Sequence, residues 1–513
     1  MLFLLVDHVV RQKENGVRNQ HAGLSKAWEQ ALLKKLIPVL CVLVSGVAAC
    51  TQPPRAFVAS LPLGAPYSTI QPVPLERDQI LMRYGGAYHH PPSQAWLDTV
   101  LGRLVASNPD VPRALRVSVL NHPVPNAFAL DQALSGQAGG EIFISRGMLA
   151  LSNDPAEVAA VLAHEVAHLT LQHRQHRDVV AHTVSQQITQ TAPVAQGQAF
   201  ERSETNGKLA LARFSRAQEI EADLLGVRLM AHAGYDPYAA AHLLKTLARD
   251  TMQRGRMLSA FEDQKNHFLS SHPATPDRIV RVLAESHQLQ APPTSASERE
   301  NFIAALQDMV YGDDPAQGLV RGRHFIHPTL NIGFSAPDNF ILDNSTQALV
   351  GVLPGKPVAL RFDRIAKGSY TAQEALQSGW IEKTSLGPIE PLQVDGLEGA
   401  TAVASGQDWR FRLAAIVKDE TIYRFIFATH PEHSDLDGAF RQSIASFHVL
   451  KQDDNKHVRP LRLKIVQAKT GDTAEGLAQN SILPDHALER FHVMNGLERG
   501  ALQLGRHYKI VSE

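Results

Sequence analysis

Apolar residues recur at helical spacing through most of the chain between residues 79 and 285. Because a helix turns once in about 3.6 residues, apolar positions three and four apart lie on one face. Segments 115–120 and 141–145 instead alternate apolar and polar residues, as strands do. The pattern therefore predicts a mainly helical domain with a small sheet. One predicted helical face is formed by Leu97, Val100, Leu101 and Leu104.

A second pattern covers residues 301–455, where short alternating segments dominate. Segments 411–417 and 421–428 are two such segments joined by a short turn, which predicts a β-hairpin. Two helical stretches are predicted as well, near 371–379 and 435–446. We interpret this region as an α+β domain of unknown role.

The last segment, 456–513, has the order strand, helix, helix, strand. Its first strand contains Ile465 and Val466, and a Gly471-Asp472-Thr473 turn follows. Asn495-Gly496-Leu497 comes before the closing strand near 508–511. These features resemble a LysM module, which implies a βααβ fold and binding to the N-acetylglucosamine glycan of peptidoglycan. A plain protein-interaction role stays open.

Composition places the chain among globular proteins, with 44% hydrophobic and 20% charged residues over 513 positions. That length predicts about three domains. The formal net charge of −1 provides no basic field, so nucleic acid is not an expected partner. A proline-rich stretch at 289–300 predicts a linker between the first two domains.

The N-terminal region predicts a leader. Lys34 and Lys35 precede an apolar run at 36–49 that is short for a membrane span but long enough for a signal-peptide core. The run ends at Cys50 in a sequence that resembles a bacterial lipobox. Residues 1–49 are therefore predicted as a lipoprotein signal peptide, Cys50 as the lipidated residue and 50–78 as a tether. A true membrane anchor or a chance cysteine are the alternatives.

The strongest chemical signal is His164-Glu165-Val166-Ala167-His168. On a helix, residues four apart share a face, so both imidazoles can bind one Zn²⁺ while Glu165 polarises a water molecule. The start of this helix is predicted by a capping pattern. Asp154 is the expected N-cap, Pro155 lies in the first turn, and Glu157 is the acidic residue that can bond back to the cap.

A second helix supplies candidates for a third ligand. It is predicted to begin at a capping box at Ser215 and to end near Gly234. Glu219 and Asp223 are four apart on this helix, so both project from one face. One can bind the metal while the other accepts a hydrogen bond from a ligand histidine. Three protein ligands would leave the fourth position of zinc for water.

These residues resemble the M48 family of zinc metallopeptidases, whose pattern is H-E-x-x-H followed by E-x-x-A-D on a later helix. The resemblance covers about residues 80–285 and implies one Zn²⁺ per chain, held by His164, His168 and Glu219. It implies that Glu165 is the general base and that Asp223 is the hydrogen-bond partner of a ligand. The implied fold is a zincin-like (gluzincin) domain at 79–288 within an α+β multidomain protein.

Two flanking elements also resemble the family. The segment from Gly140 through Glu141 and Ile142 to Phe143 precedes the zinc helix and is expected to form a sheet edge beside the cleft, where an extended peptide could pair. An ordinary sheet edge is the alternative. His272-Pro273, before Asp277-Arg278-Ile279, is similar to the family's H-P…R-I element.

Three roles are open for His272. It could stabilise the oxyanion, occupy the open zinc position and keep the enzyme latent, or cap a helix that begins near Thr275. Among the other histidines, His173 is expected to point away from the ligand face, and His232 and His242 to lie on helix surfaces. The pair at His324 and His327 is expected at the edge of a turn.

Together these features predict a zinc endopeptidase, lipid-anchored on the periplasmic face of the outer membrane, that cleaves unfolded or misassembled envelope proteins. The membrane, through the lipid anchor, and peptidoglycan, through the C-terminal module, are the other expected partners. Residues 183–208 are expected to form a lid over the cleft or a plain surface loop. The alternative function is a non-catalytic, lipid-anchored tether that binds peptidoglycan, or a chaperone-like scaffold.

Overall fold

The structure is a computed structural model that describes residues 76–191, 198–257, 268–273, 275–451, 459–483, 486–497 and 502–513. These residues all belong to one compact unit, Pro54–Glu513. The predicted leader, Cys50 and all but the last three residues of the predicted tether lie outside the described residues. Those last three residues, 76–78, are helical. Within the described part of the chain, no helix combines the length and the apolar character that crossing a membrane requires.

The region up to residue 305 is mainly helical, as predicted. Its helices are α1 (Glu76–Arg83), α2 (Pro91–Ala106), α3 (Gln132–Ser135), α4 (Arg146–Leu151), α5 (Pro155–Thr170), α6 (His173–Thr191), α7 (Gln198–His232), α8 (Tyr238–Met257), α9 (Phe268–Ser271), α10 (Pro276–Ser286) and α11 (Ala296–Ala305). The last of these begins inside the predicted linker, and its Phe302 and Ile303 are buried in the same core as the helices before it.

Helix α5 begins as the sequence predicts. The Asp154 side chain accepts a hydrogen bond from the Ala156 amide, and Pro155 occupies the first turn. The Glu157 carboxylate accepts instead from the amide of Asn153, one residue before the cap. Every residue from 155 to 167 is buried, because α5 runs through the middle of the core.

Helix α7 is longer than predicted. It begins at Gln198, so Ser215 lies inside it and caps nothing. The segment 208–214 is rich in alanine, leucine and other good helix formers, and nothing there ends a helix. The predicted lid or loop near 183–208 is therefore helical, in α6 and α7, apart from 192–197, which lie outside the described residues. The predicted stop is correct, since Gly234 takes a left-handed φ of 72° just after the helix.

The small sheet consists of β1 (Arg116–Leu120), β2 (Ala127–Leu130) and β3 (Glu141–Ser145) in the order β1-β3-β2. Strand β3 pairs in parallel with β1 and antiparallel with β2. The predicted edge strand at Gly140–Phe143 is therefore wrong, because β3 is central and wholly buried. A sequence pattern predicts a strand but not its neighbours. The edge strands of this sheet are β1 and β2.

The middle domain has the predicted α+β character. Its strands are β4 (Leu319–Arg321), β5 (His324–His327), β6 (Ile332–Ser335), β7 (Ile341–Asn344), β8 (Leu349–Val352), β9 (Val358–Ala366), β10 (Ser385–Leu386), β11 (Glu390–Val394), β12 (Leu397–Ser405), β13 (Arg410–Lys418), β14 (Thr421–Thr429) and β15 (His448–Val449). One sheet has the order β10-β12-β13-β14-β9-β8-β7, with β11 beside β12, and another has the order β15-β6-β5-β4.

Both secondary-structure predictions for this domain are confirmed. Strands β13 and β14 form the predicted hairpin. The predicted helices are α12 (Ala372–Gln377) and α13 (Asp437–Ala445). His324 and His327, expected at a turn, are the two ends of strand β5.

The C-terminal segment has the predicted order of elements: β16 (Arg462–Gln467), α14 (Ala474–Gln479), α15 (Ala487–Met494) and β17 (His507–Ser512). It is packed against the helical domain. Leu463 exchanges backbone hydrogen bonds with Asp308 and Met309, and the buried Lys509 ammonium donates to the carbonyls of Ala150 and Ser152. Five of its buried apolar residues join the core around α5, namely Leu461, Leu463, Val493, Met494 and Val511. Others, among them Phe491 and Tyr508, form a separate core within the segment.

Candidate metal centre

Helices α5 and α7 bring together three of the predicted metal ligands. The Nε2 atoms of His164 and His168 are 3.0 Å apart, as their spacing on α5 predicts. From α7, the Glu219 carboxylate lies 3.5 Å from His164 Nε2 and 3.6 Å from His168 Nε2. The three side chains therefore face one point between the two helices.

Gly226 explains why the two helices approach so closely. A Cβ atom at this position of α7 would lie 3.2 Å from the backbone nitrogen of His164. Real Cβ contacts are rarely so short, so a larger residue would push α7 away from α5. The sequence contains this glycine just after the E-x-x-A-D pattern, but its role depends on the packing of two distant segments.

His272, the residue with three open roles, belongs to the same group. Its Nδ1 lies 2.8 Å from a Glu219 oxygen and 3.2 Å from His164 Nε2. It does not cap helix α10, because Thr275 is the N-cap and accepts from the Arg278 amide. Two roles remain, stabilising the oxyanion or occupying the open zinc position. The position of His272 is the one expected of a fourth metal ligand, which favours the second role.

These four residues fit a zinc ion. Their potential ligand atoms, three imidazole nitrogens and one carboxylate oxygen, all lie within 4.8 Å of one another. Nitrogen and oxygen donors in this number are what Zn²⁺ takes in proteins. Within the described ranges, this is the one group of histidine, cysteine and acidic side chains close enough to hold a metal.

Glu165 lies beside this group without being part of it. Its carboxylate is buried. One oxygen, Oε1, has no hydrogen-bond partner among the described residues and lies 3.7 Å from His272 Nε2. Burial raises the pKa of Glu165, so this carboxylate holds a proton more readily than an exposed one. A buried carboxylate with a free oxygen is suited to accepting a proton from a reactant.

Asp223 contacts His164 from the side away from the ligand group, as predicted. Its carboxylate lies 3.1 Å from His164 Nδ1. Arg278, on α10, donates to both oxygens of Asp223 at 2.6 and 2.8 Å and lies 3.2 Å from a Glu219 oxygen. In the sequence, Arg278 stands out only as part of the H-P…R-I element, which indicates no role for it.

The charges of the centre are set by these contacts. Burial would lower the pKa of His164, but hydrogen bonds to Asp223 and Glu219 outweigh it and raise the pKa to about 10. Burial would raise the pKa of Glu219, yet His272 and His164 hold it far below its usual value. Burial and the neighbouring His164 lower the pKa of His168. Metal binding must therefore displace a proton from His164.

His173 differs from the prediction that it points away from the site. Its Nδ1 lies 3.0 Å from His168 Nδ1, and its Nε2 lies 3.3 Å from the Glu221 carboxylate. The other two histidines lie where helix surfaces were expected. Both are exposed, and His232 contacts Asn108.

A cleft of about 510 Å³ opens beside the centre. Its walls include Glu165, His168 and His272 on one side and Phe128 and Ala129 of β2 on the other. An edge strand of the sheet therefore borders the cleft, as expected, but that strand is β2 rather than β3.

Residues 91–286 match Peptidase family M48. Three relatives support this match. The mitochondrial metalloendopeptidase OMA1 of Schizosaccharomyces pombe is 29% identical, over 40% of this chain and 57% of the relative. The beta-barrel assembly-enhancing protease of Yersinia pestis is 24% identical, over 43% of this chain and 44% of the relative. The putative beta-barrel assembly-enhancing protease of Vibrio cholerae is 26% identical, over 50% of this chain and 53% of the relative. The chain thus spans about half the length of these relatives.

Proposed function

We propose that this chain, in which residues 91–286 form a peptidase family M48 domain, is a zinc-dependent endopeptidase of the bacterial cell envelope. The observation that carries the proposal is the meeting of His164, His168 and Glu219 around one point, with the Glu165 carboxylate beside them. The metalloendopeptidase and protease names of the relatives support the same reaction class.

Each residue of the centre has a definite task in peptide hydrolysis. His164, His168 and Glu219 would hold the zinc ion, which when bound supplies Lewis-acid polarisation of an oxygen atom. Glu165 accepts the proton of the attacking water at Oε1 and later delivers it to the leaving amine. Asp223 accepts from His164 Nδ1, which leaves Nε2 free to bind the metal.

His272 suggests that the described arrangement is a latent one. A catalytic zinc site has three protein ligands and an open position, whereas four protein ligands make a closed site. His272 Nδ1 is closer to Glu219 than either histidine of α5 is. We therefore assign His272 to the open position, from which it must leave before a substrate carbonyl can enter.

The free edge of β2 is the proposed peptide-binding edge. The backbone N–H of Ser145 donates to the Asn126 carbonyl, so residue 126 forms a hydrogen-bonded pair with β3. Because such pairs alternate along antiparallel strands, the backbone N–H and C=O groups of residues 128 and 130 point toward β3, and those of Ala127 and Ala129 point outward. An extended peptide that pairs with this edge would lie along the cleft, with its backbone near Glu165. Main-chain pairing tolerates many sequences but requires an unfolded segment.

This mode of recognition suits unfolded or misassembled envelope proteins as substrates. The names of two relatives refer to β-barrel assembly, which supports a location in the periplasm. We further propose that lipidated Cys50 anchors the chain to the periplasmic face of the outer membrane. Contact between residues 456–513 and peptidoglycan remains a prediction from the LysM resemblance.

The substitution Glu165→Gln tests the proposed chemistry. The amide keeps the shape of the side chain but cannot accept the proton, so zinc content should match the wild-type protein while cleavage of unfolded casein is largely lost. Glu285→Gln, at an ion pair of α7 and α10 outside the centre, is the matched control. Casein cleavage by Glu165→Gln at the wild-type rate would exclude Glu165 as the base.

The substitution Ala129→Pro tests the peptide-binding edge. Proline removes an outward N–H and leaves the β2–β3 pairing intact, so thermal stability should change little. We expect kcat/KM for casein to fall about tenfold, as the loss of one hydrogen bond of about 1.4 kcal/mol predicts. Ala129→Ser, which retains the amide, is the control. Equal kcat/KM for the proline and serine variants would contradict pairing at this edge.

A further inference from the structure

The two histidines of α5 differ in what supports them. His164 Nδ1 contacts Asp223 directly, at 3.1 Å. Within the part of the chain that the structure describes, His168 Nδ1 contacts no carboxylate; it contacts a second imidazole, that of His173, at 3.0 Å. The far nitrogen of His173 then lies 3.3 Å from the Glu221 carboxylate. His168 is thus connected to a carboxylate through one intervening ring.

The ring of His173 is firmly held. It is buried, and its backbone carbonyl accepts a hydrogen bond of 2.7 Å from the Gln218 side chain. Glu221, in contrast, has a largely exposed side chain, with 63% of its surface accessible. The connection therefore begins at the metal centre and ends at the protein surface.

A bend of the backbone makes this contact possible. In a continuous helix, a residue five positions after His168 would be rotated by about 140° from it and would face elsewhere. Helix α5 ends at Thr170, however, and Gln172 takes a left-handed φ of 50°. The chain turns there, and His173 begins α6 with its ring against the last turn of α5. Helical spacing alone places His173 away from the ligand face, so the contact depends on this bend.

The arrangement of atoms fixes where each proton must lie. If His168 binds zinc through Nε2, its Nδ1 carries the proton and donates it. His173 Nδ1 must then be the acceptor, so the proton of His173 lies on Nε2 and is donated to Glu221. His168 and His173 each have one defined tautomer, and the Glu221 carboxylate stabilises these tautomers by accepting the hydrogen bond from His173 Nε2.

We propose that His173, supported by Glu221, is a positioning residue that fixes the tautomer and the orientation of the metal ligand His168. This inference rests on the proposed function, because it requires that His168 bind zinc. It assigns to His168 a support equivalent to the one that Asp223 gives to His164. An ordinary packing role for His173 would instead affect stability and leave metal affinity unchanged.

Zinc affinity, measured on the purified full chain by competition with a chelator, tests the proposal. His173→Leu removes the acceptor, and we expect the dissociation constant for Zn²⁺ to rise about 10- to 100-fold. His173→Asn places a carbonyl oxygen near the position of Nδ1, so its dissociation constant should lie between those of the wild type and the leucine variant. Glu221→Gln retains an oxygen acceptor but loses the charge, and a smaller rise is expected.

Two controls separate positioning from packing. His232→Leu removes an exposed histidine of α7 that contacts Asn108, about 20 Å along the helix from Glu219, and should leave zinc affinity unchanged. Absorption of the Co²⁺-substituted protein should shift in His173→Leu, because the ring of His168 changes orientation, and should not shift in the control.

The outcomes are distinguishable. If His173→Leu and Glu221→Gln both bind zinc within about twofold of the wild type, the positioning role is overturned. If His173→Leu does not fold, the zinc dissociation constants of His173→Asn and Glu221→Gln are compared with the wild-type value by the same criterion. If the wild-type chain itself binds no zinc, the proposed function fails and the positioning role falls with it. Unchanged affinity in the variants of a zinc-binding wild type overturns the positioning role alone.

Discussion

The guanidinium of Arg278 donates two hydrogen bonds, of 2.6 and 2.8 Å, to the carboxylate of Asp223. Both side chains are buried, and a further nitrogen of Arg278 lies 3.2 Å from Glu219. One arginine therefore balances two carboxylates that face the metal centre. Helix α10 therefore contributes to the site by placing Arg278 against Asp223 and Glu219.

The substitution Arg278→Met should weaken both the fold and the metal site. It leaves the Asp223 carboxylate buried without its main partner, which typically costs about 3 kcal/mol or more. Because Asp223 then loses its fixed orientation beside His164, zinc affinity should fall about tenfold or more. Denaturant unfolding and zinc competition measure the two effects. Arg281→Met, at an exposed ion pair on the same helix, should change neither the free energy of unfolding nor the zinc affinity. Equal effects of the two substitutions would contradict the role of Arg278 at the metal centre.

Local spacing predicted which side chains share a helix face, and the resemblance to the M48 family chose Glu219 over Asp223 as the third ligand. His164, Glu165 and His168 are fixed relative to one another by a single helix, and Glu219 and Asp223 by another. Arg278 and His173 could not be assigned in this way. Their roles depend on how α10 packs on α7 and on one left-handed residue, Gln172, and neither follows from periodicity.

Removal of the His272 side chain should activate the enzyme. In His272→Ala the fourth position of the zinc site is open, so cleavage of unfolded casein should rise. Zinc affinity should fall at the same time, because one donor is lost. A fall in casein cleavage with zinc still bound would favour the other role, in which His272 stabilises the oxyanion.

Lys509 should be essential to the attachment of the C-terminal segment. Its ammonium donates to two carbonyls at the end of α4, next to the start of the zinc helix. Lys509→Met leaves those buried acceptors unpaired, and we expect it to lower the free energy of unfolding by about 1–3 kcal/mol. Lys464→Met, on the exposed side of β16, is the matched control. An unchanged melting temperature for Lys509→Met would contradict this account.

Glu157 should make stability depend on pH. Burial raises its pKa from 4.5 to about 7 in the folded protein. A carboxyl group whose folded pKa is raised stabilises the fold fully below its unfolded pKa, and this contribution disappears as the pH rises through the folded value. Relative to Glu157→Gln, the wild-type protein should therefore lose about 3 kcal/mol between pH 4.5 and pH 8. Glu489→Gln, at an exposed position of α15, is the control. A difference between Glu157→Gln and wild type that is independent of pH would refute this prediction.

The domain boundaries show a second limit of the sequence. Proline-rich composition suggested a linker at 289–300, but α11 begins inside that range and packs into the helical core. The hairpin of β13 and β14 did follow from alternation. The packing of residues 459–513 onto the helical core was not predictable, because Leu463 and Val511 look like ordinary strand residues. The central position of β3 was missed for the same reason, since strand order depends on contacts between distant segments.

Crystals of the full chain grown with Zn²⁺ and measured at the zinc absorption edge test the central claim most directly. The account predicts one strong anomalous peak per chain, about 2.0–2.2 Å from Nε2 of His164, from Nε2 of His168 and from an oxygen of Glu219. A peak that lies away from Glu219, or the lack of any peak between the two histidines at saturating zinc, would contradict it.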